Sequence, residues 1–162
     1  ELVFEMIQTV NVMIRFETSG KKEHLRENAD LLQNGERKYR VHVHNGGTIL
    51  PGIYDIHLPH KYCPFTVKEV EISDEAEQNL TFTVPAGYVT FQYQNSDGTP
   101  AEDKRCFVKN EAVGKSQYVA SGTEQALLPG NYTVSGWRGN YDLVSFEVAE
   151  GEYKTVIIKE KN

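Results

Sequence analysis

The chain has 162 residues, and its 17 Lys and Arg residues against 23 Asp and Glu residues give a formal net charge of −6. Because neither half carries a basic patch, we expect no nucleic-acid partner. The mean hydropathy is −0.51, and no apolar run approaches the roughly 20 residues of a membrane span, so we expect no span. Two cysteines are too few for a disulfide-dense scaffold.

The sequence repeats itself at about half its length. Leu50–Tyr54 reads LPGIY, and Leu128–Tyr132, 78 positions later, reads LPGNY. The alternating strand pattern at Val10–Phe16 likewise matches the one at Val89–Tyr93. Self-similarity at a fixed offset is typical of repeated structural units. We therefore predict two tandem domains, residues 1–85 and 86–162.

The first repeat begins with a strand at Val10–Phe16, where apolar and polar residues alternate. His24–Leu32 has helical leanings, but its counterpart Lys104–Val108 has the pattern of a strand, so we favour a strand in both repeats. The predicted strands of the first repeat are 9–17, 28–33, 38–44, 47–50, 53–58, 64–72 and 78–84.

The second repeat follows the same pattern, with glycine at most of its turns. Its predicted strands are 87–94, 104–109, 116–120, 124–128, 131–137, 142–149 and 153–160. Regular turns between short strands are typical of β-sandwiches. The predicted fold class is therefore all-β, with two tandem immunoglobulin-like or transthyretin-like β-sandwiches of about seven strands each.

The repeated motif belongs to a longer pattern in the second repeat. The run Gly122–Val134, then Tyr141, then Val148–Glu152 resembles the carboxypeptidase-regulatory-like and PEGA repeats. Their hallmark is a Leu-Pro-x-Gly-x-Tyr-x-Val segment followed by a Val-x-x-Gly-Glu hairpin. The first repeat keeps Leu50–Tyr54 but has Ile72–Glu75 in place of the hairpin signal. The resemblance implies a transthyretin-like or immunoglobulin-like sandwich of a bacterial envelope or secreted protein, often accessory to another domain.

The motif has a physical reading. Pro-Gly makes a tight turn, and the tyrosine that follows enters the core face of the next strand. We expect its hydroxyl to find a backbone partner, as in a tyrosine corner. The related B-type domains of collagen adhesins cross-link a strand lysine to an asparagine. Because first-strand positions here carry Met13, Arg15 and Gln92, we predict no isopeptide bond.

The best candidate binding site is the segment that holds Trp137, Arg138 and Tyr141. An aromatic residue beside an arginine in a loop is the composition of an interface hot spot, and the tryptophan could equally stack on a sugar ring. The alternative is that Trp137 covers the end of the sandwich core. A protein or glycan partner is therefore expected at this loop if it is exposed.

Histidines cluster in the first repeat, where His42, His44 and His57 are weak candidate metal ligands. Tyr39, Val41 and other alternate residues should face inward, so His42 and His44 should point to solvent. We therefore predict no metal and no other cofactor.

Cys63 and Cys106 lie at non-equivalent positions of the two repeats. We interpret them as two buried free thiols, with a disulfide between the repeats as the alternative. The sequence also has no nucleophile elbow and no phosphate-binding loop. Its carboxylates, such as Asp74, Glu75, Glu150 and Glu152, lie in predicted hairpin turns, where we interpret them as solubilising rather than as a general acid–base pair. We therefore predict no enzymatic activity.

The first residue is glutamate rather than methionine, so we expect a mature form or an excised fragment. Taken together, the patterns predict a non-catalytic structural or protein-binding accessory module of a larger extracytoplasmic protein, which is secreted, periplasmic or at the cell surface and is of bacterial origin. The alternative is a carbohydrate-binding module that uses the Trp137, Arg138 and Tyr141 loop.

Overall fold

The computed structural model describes residues 8–101, 104–114, 116–136 and 141–161. Within these residues every regular element is a β-strand, so the all-β prediction is confirmed. The chain forms two compact units. The first comprises the chain up to His60 together with Pro64–Val84, and the second comprises Lys61–Cys63 together with the chain from Pro85.

The first unit has eight strands in two sheets. One sheet has the order β4-β3-β6-β7; in the other, β1 pairs antiparallel with β2 and β5 and parallel with β8. The strands are β1 (Val10–Thr18), β2 (His24–Leu25), β3 (Ala29–Gln33), β4 (Glu36–Val41), β5 (Gly47–Ile49), β6 (Gly52–Leu58), β7 (Phe65–Ile72) and β8 (Glu77–Val84).

The second unit repeats this topology with seven strands. Its sheets have the orders β11-β10-β13-β14 and β12-β9-β15, and β9 pairs parallel with β15. The strands are β9 (Gly87–Gln94), β10 (Arg105–Asn110), β11 (Ser116–Ala120), β12 (Glu124–Leu127), β13 (Gly130–Gly136), β14 (Val144–Val148) and β15 (Tyr153–Lys159).

The core of each unit is built from alternate residues of its strands. Val12, Ile14 and Phe16 of β1 are buried, whereas the residues between them reach solvent. Phe91 and Tyr93 of β9 are buried in the same way in the second unit. Burying each of these side chains contributes about 1.5–3 kcal/mol, so the period-2 pattern that predicted the strands is also what stabilises them.

The repeated Leu-Pro-Gly-x-Tyr motif forms the same structure twice. The Tyr54 hydroxyl donates to the Leu50 carbonyl at 3.0 Å, and the Tyr132 hydroxyl donates to the Leu128 carbonyl at 2.7 Å. Both tyrosines are buried. The expected backbone partner of each hydroxyl is therefore confirmed, and each bond ties the end of one strand to the start of the next.

The segment with helical leanings is extended, as expected. It contains β2 and β3, with Ala29 and Leu31 buried in the core. The predicted strand 38–44 is shorter than expected because β4 ends at Val41. The chain turns there, with paired backbone hydrogen bonds between His42 and Gly46 of 3.2 and 2.8 Å. Gly46 has φ of +69°, which favours glycine at this turn.

Candidate functional site

The predicted binding loop is only partly within the described chain. Trp137 and Arg138 lie outside the described residues, so recognition at these two positions stays a prediction. Tyr141 is described and is only 7% exposed. Its ring packs edge-on against Tyr93, with 4.6 Å between ring centroids. The expectation that Tyr141 presents its ring to a partner is therefore wrong, because the ring is part of the core.

A glycine explains why Tyr141 is buried. A Cβ added to Gly136 would collide with the Tyr141 ring. The equivalent position of β6 in the first unit is Leu58, which is fully buried. The ring of Tyr141 in the second unit therefore takes the place that the Leu58 side chain has in the first unit. A glycine in a strand where the other repeat has leucine was the available signal for this close approach.

The three candidate histidines are not brought together. His42 and His44 are exposed, as expected, but they lie in the turn after β4 rather than on one face of a strand. His57 lies on β6, which β3 separates from β4, and its Nδ1 is 2.9 Å from Thr66 Oγ1. Among the described residues no group of three His, Cys, Asp or Glu side chains could hold a metal ion.

Cys63 and Cys106 are both fully buried and are not joined in a disulfide, which confirms their interpretation as buried thiols. Burial raises the pKa of Cys63 to about 12 and that of Cys106 to about 11. The Cys63 thiol donates to the Ala126 carbonyl at 3.0 Å. Such thiols are inert, because the reactive thiolate is scarce at neutral pH.

The charged group around Asp30 is one that sequence reasoning missed. On the sheet of β3, β4, β6 and β7, Arg40 clamps the Asp30 carboxylate with bonds of 2.7 and 3.0 Å, and Arg37 lies 3.6 Å away. Asp30 is one of two buried polar side chains among the described residues. His57 and Thr66 continue this row across the sheet.

The chemistry of this row is structural. The hydrogen bond from Arg40 is the main cause that lowers the pKa of Asp30. A carboxylate held ionised by two arginines has little tendency to take up a proton, so Asp30 is a poor general base. Its partners come from a neighbouring strand, which local sequence patterns do not reveal.

A second structural carboxylate supports a break in the β6–β7 pairing. The register shifts between Tyr54 and Ile56. Asp55 accepts a bond from the Glu69 backbone N–H at 3.1 Å and from Lys68 Nζ at 2.6 Å. Glu69 has φ of +53°, a conformation that non-glycine residues rarely adopt. Asp55 therefore helps to hold an irregularity that bends an edge strand.

The inward face of the first strand bears on the predicted lack of an isopeptide bond. Val12, Ile14 and Phe16 occupy inward positions of β1, and Phe91 and Tyr93 occupy those of β9. The absence of an isopeptide bond stays a prediction. An intact-mass measurement tests it, because each such bond would lower the mass by one ammonia.

None of the described residues forms a helix that is long and apolar enough to cross a membrane.

Comparison with known proteins gives similarities of fold. No protein family matches the sequence, and no curated protein matches it, so the resemblance to carboxypeptidase-regulatory-like and PEGA repeats stays a prediction. The Bacillus anthracis TIE protein is 18% identical with a TM-score of 0.39, and the match covers 94% of this chain and 34% of that chain. The streptococcal ancillary pilin is 16% identical with a TM-score of 0.36, over 95% of this chain and 63% of that chain. The shaft pilin SpaA from Lactobacillus rhamnosus GG is 10% identical with a TM-score of 0.37, and the match covers 95% of this chain and 98% of that chain. This chain therefore spans about a third of the first protein and less than two thirds of the second.

Proposed function

We propose that the chain is a non-catalytic structural module, two β-sandwich repeats of a larger extracytoplasmic bacterial protein, and that each repeat resists tension along the chain. The observation that carries this proposal is the parallel pairing of the first and last long strands in each unit. Protein partners would then be held by a module that bears tension rather than processed at a catalytic site.

In the first unit the parallel ladder runs from Asn11 opposite Glu77 to Thr18 opposite Val84. Its terminal bonds are Asn11 N–H to Ala76 C=O and Ser19 N–H to Val84 C=O, each 2.9 Å. The chain enters at one end of this ladder and leaves at the other.

The second unit has the same arrangement. Its ladder runs from Tyr88 opposite Tyr153 to Gln94 opposite Lys159. The terminal bonds are Tyr88 N–H to Glu152 C=O at 2.7 Å and Glu160 N–H to Gln94 C=O at 2.9 Å.

This geometry decides how a pulling force acts. When the two ends of a unit are pulled apart, its first and last strands slide along each other, so the ladder bonds share the load. A strand pair pulled from one end instead breaks its bonds one after another. Because forced unfolding is governed by the unfolding rate, sharing the load across the ladder slows unfolding under tension.

The two paired carboxylates of the first unit also fit a structural role. Asp30 is clamped by Arg40 and Asp55 by Lys68, so each carboxylate stabilises a strand pairing. His57 Nδ1 lies beside Thr66 Oγ1. These side chains are engaged in pairs across the sheet, which supports a non-catalytic module.

Two proline substitutions in β8 test the proposal. The register directs the Leu80 N–H into the ladder with β1 and the Thr81 N–H to the side of β8 that faces away from β1. Leu80→Pro therefore removes a load-bearing bond, whereas Thr81→Pro is the matched control. In single-molecule force spectroscopy through the chain ends, Leu80→Pro should lower the force of one of the two unfolding events.

Circular dichroism first establishes that both variants fold. Equal unfolding forces for folded Leu80→Pro and Thr81→Pro would reject the load-bearing role. Turnover of a substrate by the purified chain, lost on mutation of a defined set of residues, would reject the non-catalytic role.

A further inference from the structure

The second unit contains a short segment from outside its own repeat. Lys61–Cys63 lies between β6 and β7 in the sequence, but its contacts place it in the second unit. Cys63 is fully buried there, and Tyr62 packs against the core of this unit. Three consecutive residues are thus built into a fold whose strands begin at Gly87.

The segment touches two strands that each end a sheet. Among the described residues, β11 pairs only with β10, and β12 pairs only with β9. The outer edge of such a strand presents backbone N–H and C=O groups that can pair with another chain. What covers these two edges therefore decides whether the unit is closed to further strands.

Each residue of the segment donates a hydrogen bond to a backbone carbonyl of β11 or of β12. The Tyr62 hydroxyl donates to the Tyr118 carbonyl of β11 at 2.6 Å, and Lys61 Nζ donates to the same oxygen at 3.4 Å. The Cys63 thiol donates to the Ala126 carbonyl of β12 at 3.0 Å. Lys61 Nζ also lies 4.9 Å from the centroid of the Tyr62 ring, which holds the two side chains together.

The first unit protects its equivalent edge in another way. Three of the six side chains of β4 are basic and one is acidic, so the net positive charge of the strand opposes its pairing with a second β4. Ser116–Ala120 of β11 carries no charged side chain and contains Tyr118 and Val119, which favour strands. Strand β11 therefore depends on something other than its own charge to avoid pairing.

We infer that Lys61–Cys63 is an edge cap, which blocks β11 of the second unit from pairing with β11 of a second copy of this chain. The second copy is the expected occupant of an uncapped edge because two uncharged β11 strands can align antiparallel without repulsion. The cap holds the protein as a monomer, and release of the cap exposes one pairing edge per chain.

The test uses the full chain and its self-association, measured by sedimentation velocity over a range of concentrations. Lys61→Ala combined with Tyr62→Phe removes both donors to the Tyr118 carbonyl but keeps the ring that packs on the core. This variant should dimerise, with a dissociation constant about tenfold or more below that of the wild type. Tyr62→Ala, which also removes the ring, should dimerise more strongly if it folds.

A charged residue placed on β11 tests whether this strand is the edge that pairs. Tyr118 is 42% exposed, so Tyr118→Lys places a charge at the surface of β11, although it also removes the ring contact with Phe107. Adding Tyr118→Lys to Lys61→Ala and Tyr62→Phe should restore the monomer. The inference is overturned if the uncapped variant stays monomeric, if the wild type is already an equally strong dimer, if Tyr118→Lys leaves the dimer intact, or if assembly continues beyond the dimer.

Discussion

The strands β4 and β11 occupy the same place in the two units, yet their side chains have opposite character. In the first unit Asp30 lies opposite Arg40, and the two form an ion pair. In the second unit the same register places Phe107 opposite Tyr118, with 4.3 Å between ring centroids. At this cross-strand position an ion pair in one unit is therefore replaced by an aromatic pair in the other. The two units share instead the alternating buried residues of their strands and the tyrosine motif.

The largest effect is expected at the position where the two cores differ most. Leu58 is fully buried in the first unit. Leu58→Ala should destabilise the chain by about 2–5 kcal/mol, because it leaves a cavity. Ile53→Ala in the same strand is the control, since Ile53 is 60% exposed and its truncation should cost less than about 0.5 kcal/mol. Urea unfolding measures both, and equal costs would contradict the assignment of Leu58 to the core.

At the equivalent position of the second unit, a larger side chain rather than a smaller one should destabilise the fold. Gly136→Ala adds a methyl group where the Tyr141 ring lies, and it should cost about 1–3 kcal/mol through overpacking. The cost should shrink in a Tyr141→Ala background, which a double-mutant cycle detects. An unchanged cost in that background would show that Tyr141 is not what fills the space.

The ion pair and the aromatic pair should differ in their response to pH. Folding lowers the pKa of Asp30, so the stability that it contributes is complete above the unfolded pKa. That contribution is lost as the pH falls through the folded pKa. Asp30→Asn should therefore cost about 1–3 kcal/mol near about pH 7, and this cost should fall progressively as the pH drops below the unfolded pKa.

Phe107→Ala is the matched variant in the second unit, and its cost should be the same across this pH range because the aromatic pair contains no carboxylate. Denaturant unfolding at each pH measures both differences. A cost of Asp30→Asn that does not fall with pH would mean that the carboxylate charge does not stabilise the first unit.

The smallest effect is expected where the two units agree. Tyr54→Phe and Tyr132→Phe each remove one hydroxyl that donates to a backbone carbonyl. Each should cost about 0.5–1.5 kcal/mol, and the two costs should be similar. A cost in one unit but not in the other would show that the repeated motif does not have the same energetic role in both.

Much of the fold could be predicted from the sequence because the signals are local. Alternation in Val10–Phe16 marks β1, and the glycines that follow the strands mark the turns. The match between Leu50–Tyr54 and Leu128–Tyr132 predicted the repeat and the backbone partner of each tyrosine. Period-2 burial is a property of a single strand, so it can be read without knowledge of the neighbouring strands.

The features that escaped prediction depend on residues that are distant in the sequence. The Asp30 and Arg40 pair requires the register of β3 and β4. The burial of Tyr141 requires the space left by Gly136, and the place of Cys63 in the second unit requires its contact with Ala126. Composition suggested that Tyr141 belongs to a binding loop, because composition cannot report such long-range packing.

The load-bearing role can be tested most directly by pulling the same ladder in two directions. Handles at Thr9 and Pro85 load β1 and β8 in shear. Handles at Thr9 and Glu75 pull the adjacent starts of the same two strands apart, because Asn11 lies opposite Glu77. Single-molecule force spectroscopy should give a clearly higher unfolding force for the first pair of handles than for the second. Equal forces in the two directions would contradict the proposal that the parallel ladders bear tension.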